Sequence, residues 1–331
     1  MTAQSQVQTL ENHTDRMTGA LRTLQVHIPG TQHFELSARP SSNEVGGYLS
    51  ALCFLQGALE AMAEEVTLLR ARDEASRQTI TAFREQMRSA AAIQRDLLPS
   101  NLPMVAGLDV FALFRPAEAL SGDLYDVFRI DETHVGFALA DATGHGLPGG
   151  VLATFASRSL CGASMKNGPA RSLSPADQLS RINKDLFGVG FRDCPFVTAL
   201  YAVYHEPTRM LTWARGGAPY PVFVRRREAP RRILSQGPLI GALADAAFET
   251  VSLTLEPGDT VVFHTDGLEA LVGDRRSQRG LNDLSNSEWF HRLGGRPLDG
   301  QMEDLETRLD SIDEADWPVD DVTVVALHVR G

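Results

Sequence analysis

The sequence predicts an α+β fold: two antiparallel sheets packed face to face with helices outside, preceded by one long helix with a coiled-coil seam. Three observations carry this. Residues 52 to 97 repeat apolar side chains at alternating three- and four-residue spacings, with no proline between them. Beyond Pro99 and Pro103 the chain changes to runs of short strand-forming segments around paired helical ones, an order typical of antiparallel α+β architecture. Four acidic turns, finally, each sit at one end of such a segment.

Residues 1 to about 45 are rich in Gln, Thr, His and Ser, and residues 21 to 36 can form a pair of strands around Pro29-Gly30. A flexible leader and a small partner-binding element both fit that composition. The seam then runs through Leu52, Leu55, Leu59, Met62, Val66, Leu69, Asp73, Ser76, Ile80, Phe83, Met87, Ala90, Gln94 and Leu97, and eleven of these fourteen positions are apolar. At ~1.5 Å per residue the helix is roughly 70 Å long and needs something to cover its stripe. The same helix of a second subunit is the expected partner, giving a parallel homodimer. Asp73 and Ser76 fall together on the seam, so two helices broken near Asp73 are the other reading. Pro99 and Pro103 end the helix. The expected division is therefore 1–45, a region of unassigned fold; 46–98, a dimerisation and regulatory helix; and 99–331, the strand-rich domain.

Within that domain, residues 107 to 114, 124 to 130 and 134 to 140 read as consecutive strands. Helices are expected over 147 to 163 and 174 to 187, the second with Ser174 at its cap and Pro175 in its first turn. Strands follow over 196 to 204, 210 to 214, 221 to 226, 251 to 255 and 260 to 264, then a helix over 302 to 311 and a last strand to Arg330. The polar segment 273 to 300 reads as a loop or short helix near the acidic turns. Arg225-Arg226-Arg227, with Arg231-Arg232 nearby, reads as a solvated hairpin end.

The acidic turns are Ser121-Gly122-Asp123-Leu124-Tyr125-Asp126, Ala140-Asp141-Ala142-Thr143-Gly144-His145-Gly146, Thr265-Asp266-Gly267 and Asp320-Asp321-Val322-Thr323. Each puts a carboxylate at a strand end, so folding can gather them at one edge of a sheet, with glycines allowing close backbone approach. Aspartates crowded there repel one another, and a divalent cation resolves the repulsion. An all-oxygen ligand set favours Mg²⁺ or Mn²⁺. The sequence shows no Cys or His pair that would offer a zinc alternative.

Composition narrows the function classes. A length of 331 residues gives room for about two domains. With 43% apolar residues and 22% charged, the chain can bury a real core. The net charge of −11 argues against non-specific nucleic-acid binding and against an anionic membrane surface, leaving a protein or small-molecule partner. Lys166 and Lys184 are the only lysines among 31 basic residues, a skew of composition without functional weight. Cys53, Cys161 and Cys194 are odd in number and form no CxxC, which suits a reducing compartment. With no basic-then-apolar leader and no apolar run near ~20 residues, a soluble cytoplasmic protein is expected.

In this order and spacing, the segment from Ala91 to Arg330 resembles the metal-dependent Ser/Thr protein phosphatases, the PPM family, in its bacterial SpoIIE-like branch. The resemblance rests on the four acidic turns together with Ile93-Gln94-Arg95-Asp96-Leu97-Leu98-Pro99, Arg115-Pro116-Ala117, Phe196-Val197-Thr198-Ala199-Leu200-Tyr201 and Gly237-Pro238. It implies an αββα four-layer sandwich with a site for two Mn²⁺ or Mg²⁺ ions at one edge. By motif, Asp141 would bridge both ions, the Ala142 carbonyl would hold one, and Asp123, Asp266 and Asp320 would complete the shells directly or through water. The role of Asp321 stays open. The implied substrate is a phosphorylated protein, in this branch a STAS-domain anti-anti-sigma factor, with an activator acting at the N-terminal region.

Two ions so placed suit phosphate-monoester hydrolysis by an activated water, and no Cys or Ser elbow offers a covalent route. His145 is a candidate general acid, and Arg115 a candidate phosphate contact. Departures from the branch pattern are Arg215-Gly216-Gly217-Ala218-Pro219 in place of an Asn-Ala-Gly-His stretch, Glu269 one position early, Ser121 for a common Gly, and Ala142 for Val. None removes an expected metal ligand. Two further functions remain open from the residues: a non-catalytic signalling scaffold, and a hydrolase of a small phosphorylated metabolite.

Overall fold

The computed structural model describes residues 42–144, 146–161, 174–191, 195–226, 228–272, 287–293, 298–312 and 320–331. Most of the N-terminal region, His145 and a large part of the 273–300 segment lie outside the described residues. The chain divides into two units, residues 1–76 and 77–331. Helix α1 spans Ser42–Asp96 without a break at Asp73 and stops just before Pro99. Along the expected seam, Leu59, Met62, Val66, Leu69, Ile80 and Phe83 are exposed, whereas Gln94 near the end of the helix is buried, as is Ala91 beside the seam. Among the described residues no helix is long and apolar enough to cross a membrane.

The larger unit holds two five-stranded sheets. Strands β1 (Leu108–Arg115), β6 (Val222–Val224), β7 (Arg231–Arg232), β9 (Thr260–His264) and β10 (Val322–Val329) make the first, in the order β1-β10-β9-β6-β7. Strands β2 (Asp123–Arg129), β3 (His134–Ala142), β4 (Val197–His205), β5 (Met210–Gly216) and β8 (Val251–Thr254) make the second, in that order. Every pairing is antiparallel. Alternation along the strands builds the layers. Leu200, Ala202 and Tyr204 of β4 face the other sheet, packing with Phe137, Trp213, Phe223, Phe263 and Leu327. The intervening Ala199, Tyr201 and Val203 face α2 (Gly146–Cys161) and α3 (Pro175–Val189). The outer face of the first sheet is covered by α4 (Asp266–Val272), α5 (Glu288–Leu293) and α6 (Leu298–Asp310) through Leu268, Phe290, Met302 and Leu305. The architecture is the αββα sandwich, with central strands buried on both faces.

Local chemistry sets the element ends. The Asp177 N–H donates to Ser174 Oγ at 3.4 Å, and Gly190 closes α3 at φ 65°, where a side chain would strain the backbone. Helix α6 begins four residues earlier than the sequence suggests, because Leu298, Met302, Leu305 and Leu309 form one buried stripe. The arginine cluster is only partly solvated. Strand β7 pairs with β6 as a short hairpin, and Arg225 Nε and Nη2 lie 2.9 and 2.8 Å from the two oxygens of buried Asp259. Such a two-pronged contact fits the planar guanidinium.

Candidate metal centre

Asp123 opens β2 and pairs in register with Asp141 near the end of β3. The pleat puts both carboxylates on the face that looks between the sheets, in line with Phe137 and Leu139. The other sheet brings its own acids to the same edge. Strands β9 and β10 pair antiparallel, so Asp266, the first residue of α4, and Asp320, just before β10, emerge together.

Backbone approaches backbone here, and glycines make that possible. A Cβ on Gly122 would lie 2.8 Å from the Ala142 carbonyl oxygen and 2.9 Å from that of Gly144. One on Gly149 would lie 2.0 Å from the Gly144 oxygen, and one on Gly267 would lie 2.0 Å from that of Asp321. The Ala142 carbonyl thus lies against Gly122, while the Ala142 N–H donates to the Gly122 carbonyl at 2.9 Å. Asp321 is buried, and its two oxygens accept the N–H groups of Ala117 and Gly122, each at 2.7 Å. It fastens the segment that delivers Asp123.

Asp123 itself is buried, and its Oδ2 accepts two hydroxyls, Thr265 Oγ1 at 2.7 Å and Thr323 Oγ1 at 2.6 Å. Burial, then the charge of Asp141, pushes its carboxyl well above the usual range, and the two threonines partly oppose this. Asp141 is pushed up to about 7, first by burial and then by Asp266, Asp320 and Asp321; Thr198 Oγ1, 3.4 Å from its Oδ2, works the other way. Asp266 is raised by burial and by Asp320. Asp320 is exposed and donates its influence to the others.

This donor set fits hard divalent cations. The carboxylates that crowd one another are all oxygen donors, and burial and repulsion raise Asp123, Asp141 and Asp266, a cost that bound cations remove. Among the described residues no three acidic or imidazole groups close into a ready-made cage. Water would therefore complete each shell, as Mg²⁺ and Mn²⁺ prefer.

All four aspartates singled out in the sequence, with the Ala142 carbonyl, reach this edge. His145 lies outside the described residues. Arg115 pairs with Asp310 of α6 at 3.4 Å. Arg215, which stands in the altered stretch, donates from Nε to the Ser235 carbonyl at 3.0 Å and from Nη1 to the Ala218 carbonyl at 2.7 Å. Its guanidinium lies 3.9 Å over the Tyr220 ring, so it braces the loop after β5. Glu269, one turn beyond Asp266, is raised by burial and by Asp266, with Arg232 opposing.

Sequence reasoning missed the roles of Thr265, Thr323 and Gln94. Thr265 stands directly before Asp266 and Thr323 two residues after Asp321, and that nearness to the acidic turns was the available signal. Gln94 is buried at the end of α1, its Nε2 donating to the Ser121 carbonyl at 2.7 Å and its Oε1 accepting the Ser121 N–H at 2.9 Å. The last turn of α1 is thereby tied to the residue two before Asp123.

Comparison with known proteins gives this edge a context. The family described as Stage II sporulation protein E (SpoIIE) matches residues 131–330. Phosphoserine phosphatase RsbU of Bacillus subtilis is 26% identical over 196 residues, 58% of this chain and 56% of that protein. Protein IcfG of Synechocystis sp. is 25% identical over 216 residues, 59% of this chain and 33% of that protein. The chain thus spans between a third and somewhat over half the length of these relatives. The SiaA-PP2C domain of Pseudomonas aeruginosa superposes with a TM-score of 0.61 at 20% identity, covering 76% of this chain and 98% of that one. The PP2C phosphatase domain of SpoIIE from Bacillus subtilis, solved with a fragment of its regulatory domain, gives a TM-score of 0.53 at 16% identity, covering 69% and 64%. Two antiparallel sheets flanked by helices are common to this fold, and with the family matched over residues 131–330 the chain belongs to the SpoIIE family.

Proposed function

We propose that this chain is a metal-dependent protein serine/threonine phosphatase whose reaction takes place at the edge carrying Asp123, Asp141, Asp266 and Asp320. The observation that carries the reading is the in-register pair Asp123 and Asp141, set against Asp266 and Asp320 from the facing sheet. Asp141, central among the four, would hold the ions together with Asp123, Asp266, Asp320 and the Ala142 carbonyl. When bound, two Mn²⁺ or Mg²⁺ ions would supply Lewis acidity at the phosphoryl oxygens and lower the pKa of a coordinated water. The chain's own residues do the positioning. Thr265 and Thr323 occupy Asp123 Oδ2, which orients the carboxylate. Asp321 holds the Ala117–Gly122 segment in place, and Gly122, Gly149 and Gly267 let the turns close on one another.

The substrate class, a phosphorylated STAS-domain anti-anti-sigma factor, is supported by the family resemblance and by the likeness to RsbU, a phosphoserine phosphatase by name. Residues 99–331 form the phosphatase domain and 46–98 the regulatory helix, with residues 1–45 as the segment an activator would address. The exposed apolar positions Leu59, Met62, Val66 and Leu69 support a homodimer in which a second copy of the helix covers them. The bonds from Gln94 to Ser121 support a regulatory role, because a turn or shift of α1 would pull on the segment leading to Asp123.

The test is phosphate release from an aryl phosphate with Mn²⁺ and then with chelator, for wild type and Asp141→Ala. Metal-dependent turnover that disappears in the variant is expected. Turnover that survives chelator or the substitution would overturn the reading.

A further inference from the structure

The end of the second sheet remote from the acidic edge carries another group of ligating side chains. His134 opens β3 and His205 closes β4; they are cross-strand partners, far apart in the sequence but adjacent in the fold. Their rings stack with centroids 4.6 Å apart and planes inclined by 25°. No spacing in the linear sequence marks this pair, because the two histidines meet only through the pairing of β3 with β4.

Both rings have their Nδ1 atoms engaged. Asp131, in the turn between β2 and β3, places each carboxylate oxygen 2.9 Å from His134 Nδ1. The same carboxylate accepts the N–H groups of Thr133 and His134, each at 2.8 Å. Those bonds, the Thr133 N–H first and the His134 ring next, hold the Asp131 carboxyl well below its usual range. An ionised carboxylate only accepts, so His134 Nδ1 carries the proton, and a neutral ring then has its lone pair on Nε2. On the neighbouring strand His205 Nδ1 is 2.7 Å from Thr208 Oγ1. Neither Nε2 has a hydrogen-bond partner among the described residues, and the His134 side chain is 22% exposed. A carboxylate on one ring nitrogen, fixing the tautomer and leaving the other nitrogen outward, is how imidazoles are prepared for metals.

We propose that Nε2 of His134 and Nε2 of His205 form a two-imidazole site for a borderline transition ion, Zn²⁺, Ni²⁺ or Cu²⁺, with Asp131 and Thr208 as the orienting partners. Cross-strand pairing and ring stacking at 4.6 Å bring the two imidazoles within reach of one ion. The site is separate from the acidic edge. Asp141 lies seven residues further along β3, roughly 23 Å at the rise of an antiparallel strand. Donor chemistry separates them as well: imidazole nitrogen selects Zn²⁺, Ni²⁺ and Cu²⁺, while a carboxylate edge suits Mg²⁺ and Mn²⁺. Among the described residues no third ligand closes a cage, so the ion keeps open positions for water or for a group from a binding partner.

The test uses the full chain in excess Mg²⁺, which occupies hard oxygen sites. Titration with Cu²⁺ followed by electron paramagnetic resonance should show one tightly held ion with hyperfine structure from two imidazole nitrogens. His134→Ala and His205→Ala should each weaken Cu²⁺ and Zn²⁺ binding at least tenfold and reduce the nitrogen hyperfine structure. Asp131→Asn should weaken binding by roughly 10–100-fold while both imidazole nitrogens remain in the spectrum. Asp141→Ala, which removes the central carboxylate of the acidic edge, should leave the signal intact. Unchanged binding in the doubly substituted His134→Ala, His205→Ala protein, loss of the signal in Asp141→Ala, or a spectrum with oxygen donors alone would each overturn the proposal.

Discussion

Thr323 Oγ1 lies 2.6 Å from Asp123 Oδ2, a hydrogen bond that joins the two sheets across 200 residues of sequence. Thr265 Oγ1 reaches the same oxygen at 2.7 Å, and it also accepts the Thr323 N–H at 3.0 Å. One buried carboxylate is thus gripped from the facing sheet, and one of its oxygens is fully committed to that grip. Thr323→Val keeps the shape of the side chain and removes the donor. It should cost about 1–3 kcal/mol of stability in urea unfolding, since the buried carboxylate loses a partner. Calorimetric titration should show weaker Mn²⁺ binding, because the carboxyl then holds its proton more firmly.

Crowding of the carboxylates predicts how the metal-free protein responds to pH. Asp141 rises to about 7 in the fold from its ordinary 3.8, and Asp123 and Asp266 rise in the same direction. A carboxyl raised on folding contributes its stability below the unfolded pKa and loses it as pH climbs through the folded value. Chelator-treated protein should therefore lose thermal stability between about pH 4 and pH 7, and saturating Mn²⁺ should flatten that decline. Mn²⁺ affinity should rise over the same interval, as protons leave the ligands.

Asp141→Asn removes the central charge. In the metal-free protein at pH 8 it should raise the melting temperature, by about 2–4 °C for each kcal/mol of repulsion relieved, while metal-dependent turnover is lost. Differential scanning calorimetry beside an aryl phosphate assay checks both halves. A variant that is less stable without metal would show that Asp141 is not held under repulsion.

Gln94→Ala removes both side-chain bonds to Ser121 and leaves a buried N–H and carbonyl without partners. A cost of about 1–3 kcal/mol is expected by urea unfolding. Turnover at limiting Mn²⁺ should fall several-fold and recover in part at high Mn²⁺, since the segment before Asp123 is loosened but its ligands remain.

Leu59→Asp with Val66→Asp puts two charges into the exposed stripe of α1. Sedimentation velocity should show a dimer for the wild type and a monomer for the variant. Circular dichroism should show reduced helix, because a solitary helix of this length has little to hold it.

Much of the sandwich was legible along the chain. Strands β1, β2, β3, β4, β5, β8, β9 and β10 and the capped helix α3 lie within a residue or two of where alternation, Ser174 and Pro175 put them. Those signals are local: a period of two or of 3.6, or a cap three residues from its partner. The aspartates were legible for the same reason, each standing beside a glycine or at the end of a strand. Helix α4 was not. Thr265-Asp266-Gly267 reads as a turn, and only the Asp321 carbonyl, 2.0 Å from where a Cβ on Gly267 would sit, shows why glycine stands inside a helix there.

The sequence by itself determined the layers, the long N-terminal helix and the residue types that make an acidic oxygen site, because burial patterns and donor chemistry are written residue by residue. Tertiary structure alone decided which groups meet. Thr265 and Thr323 close on Asp123, Asp321 binds two backbone N–H groups of a distant loop, Gln94 binds Ser121, and His134 stacks on His205. Each pairing depends on strand register or sheet packing between segments far apart in the chain, and no periodicity or short motif encodes a distance across two sheets.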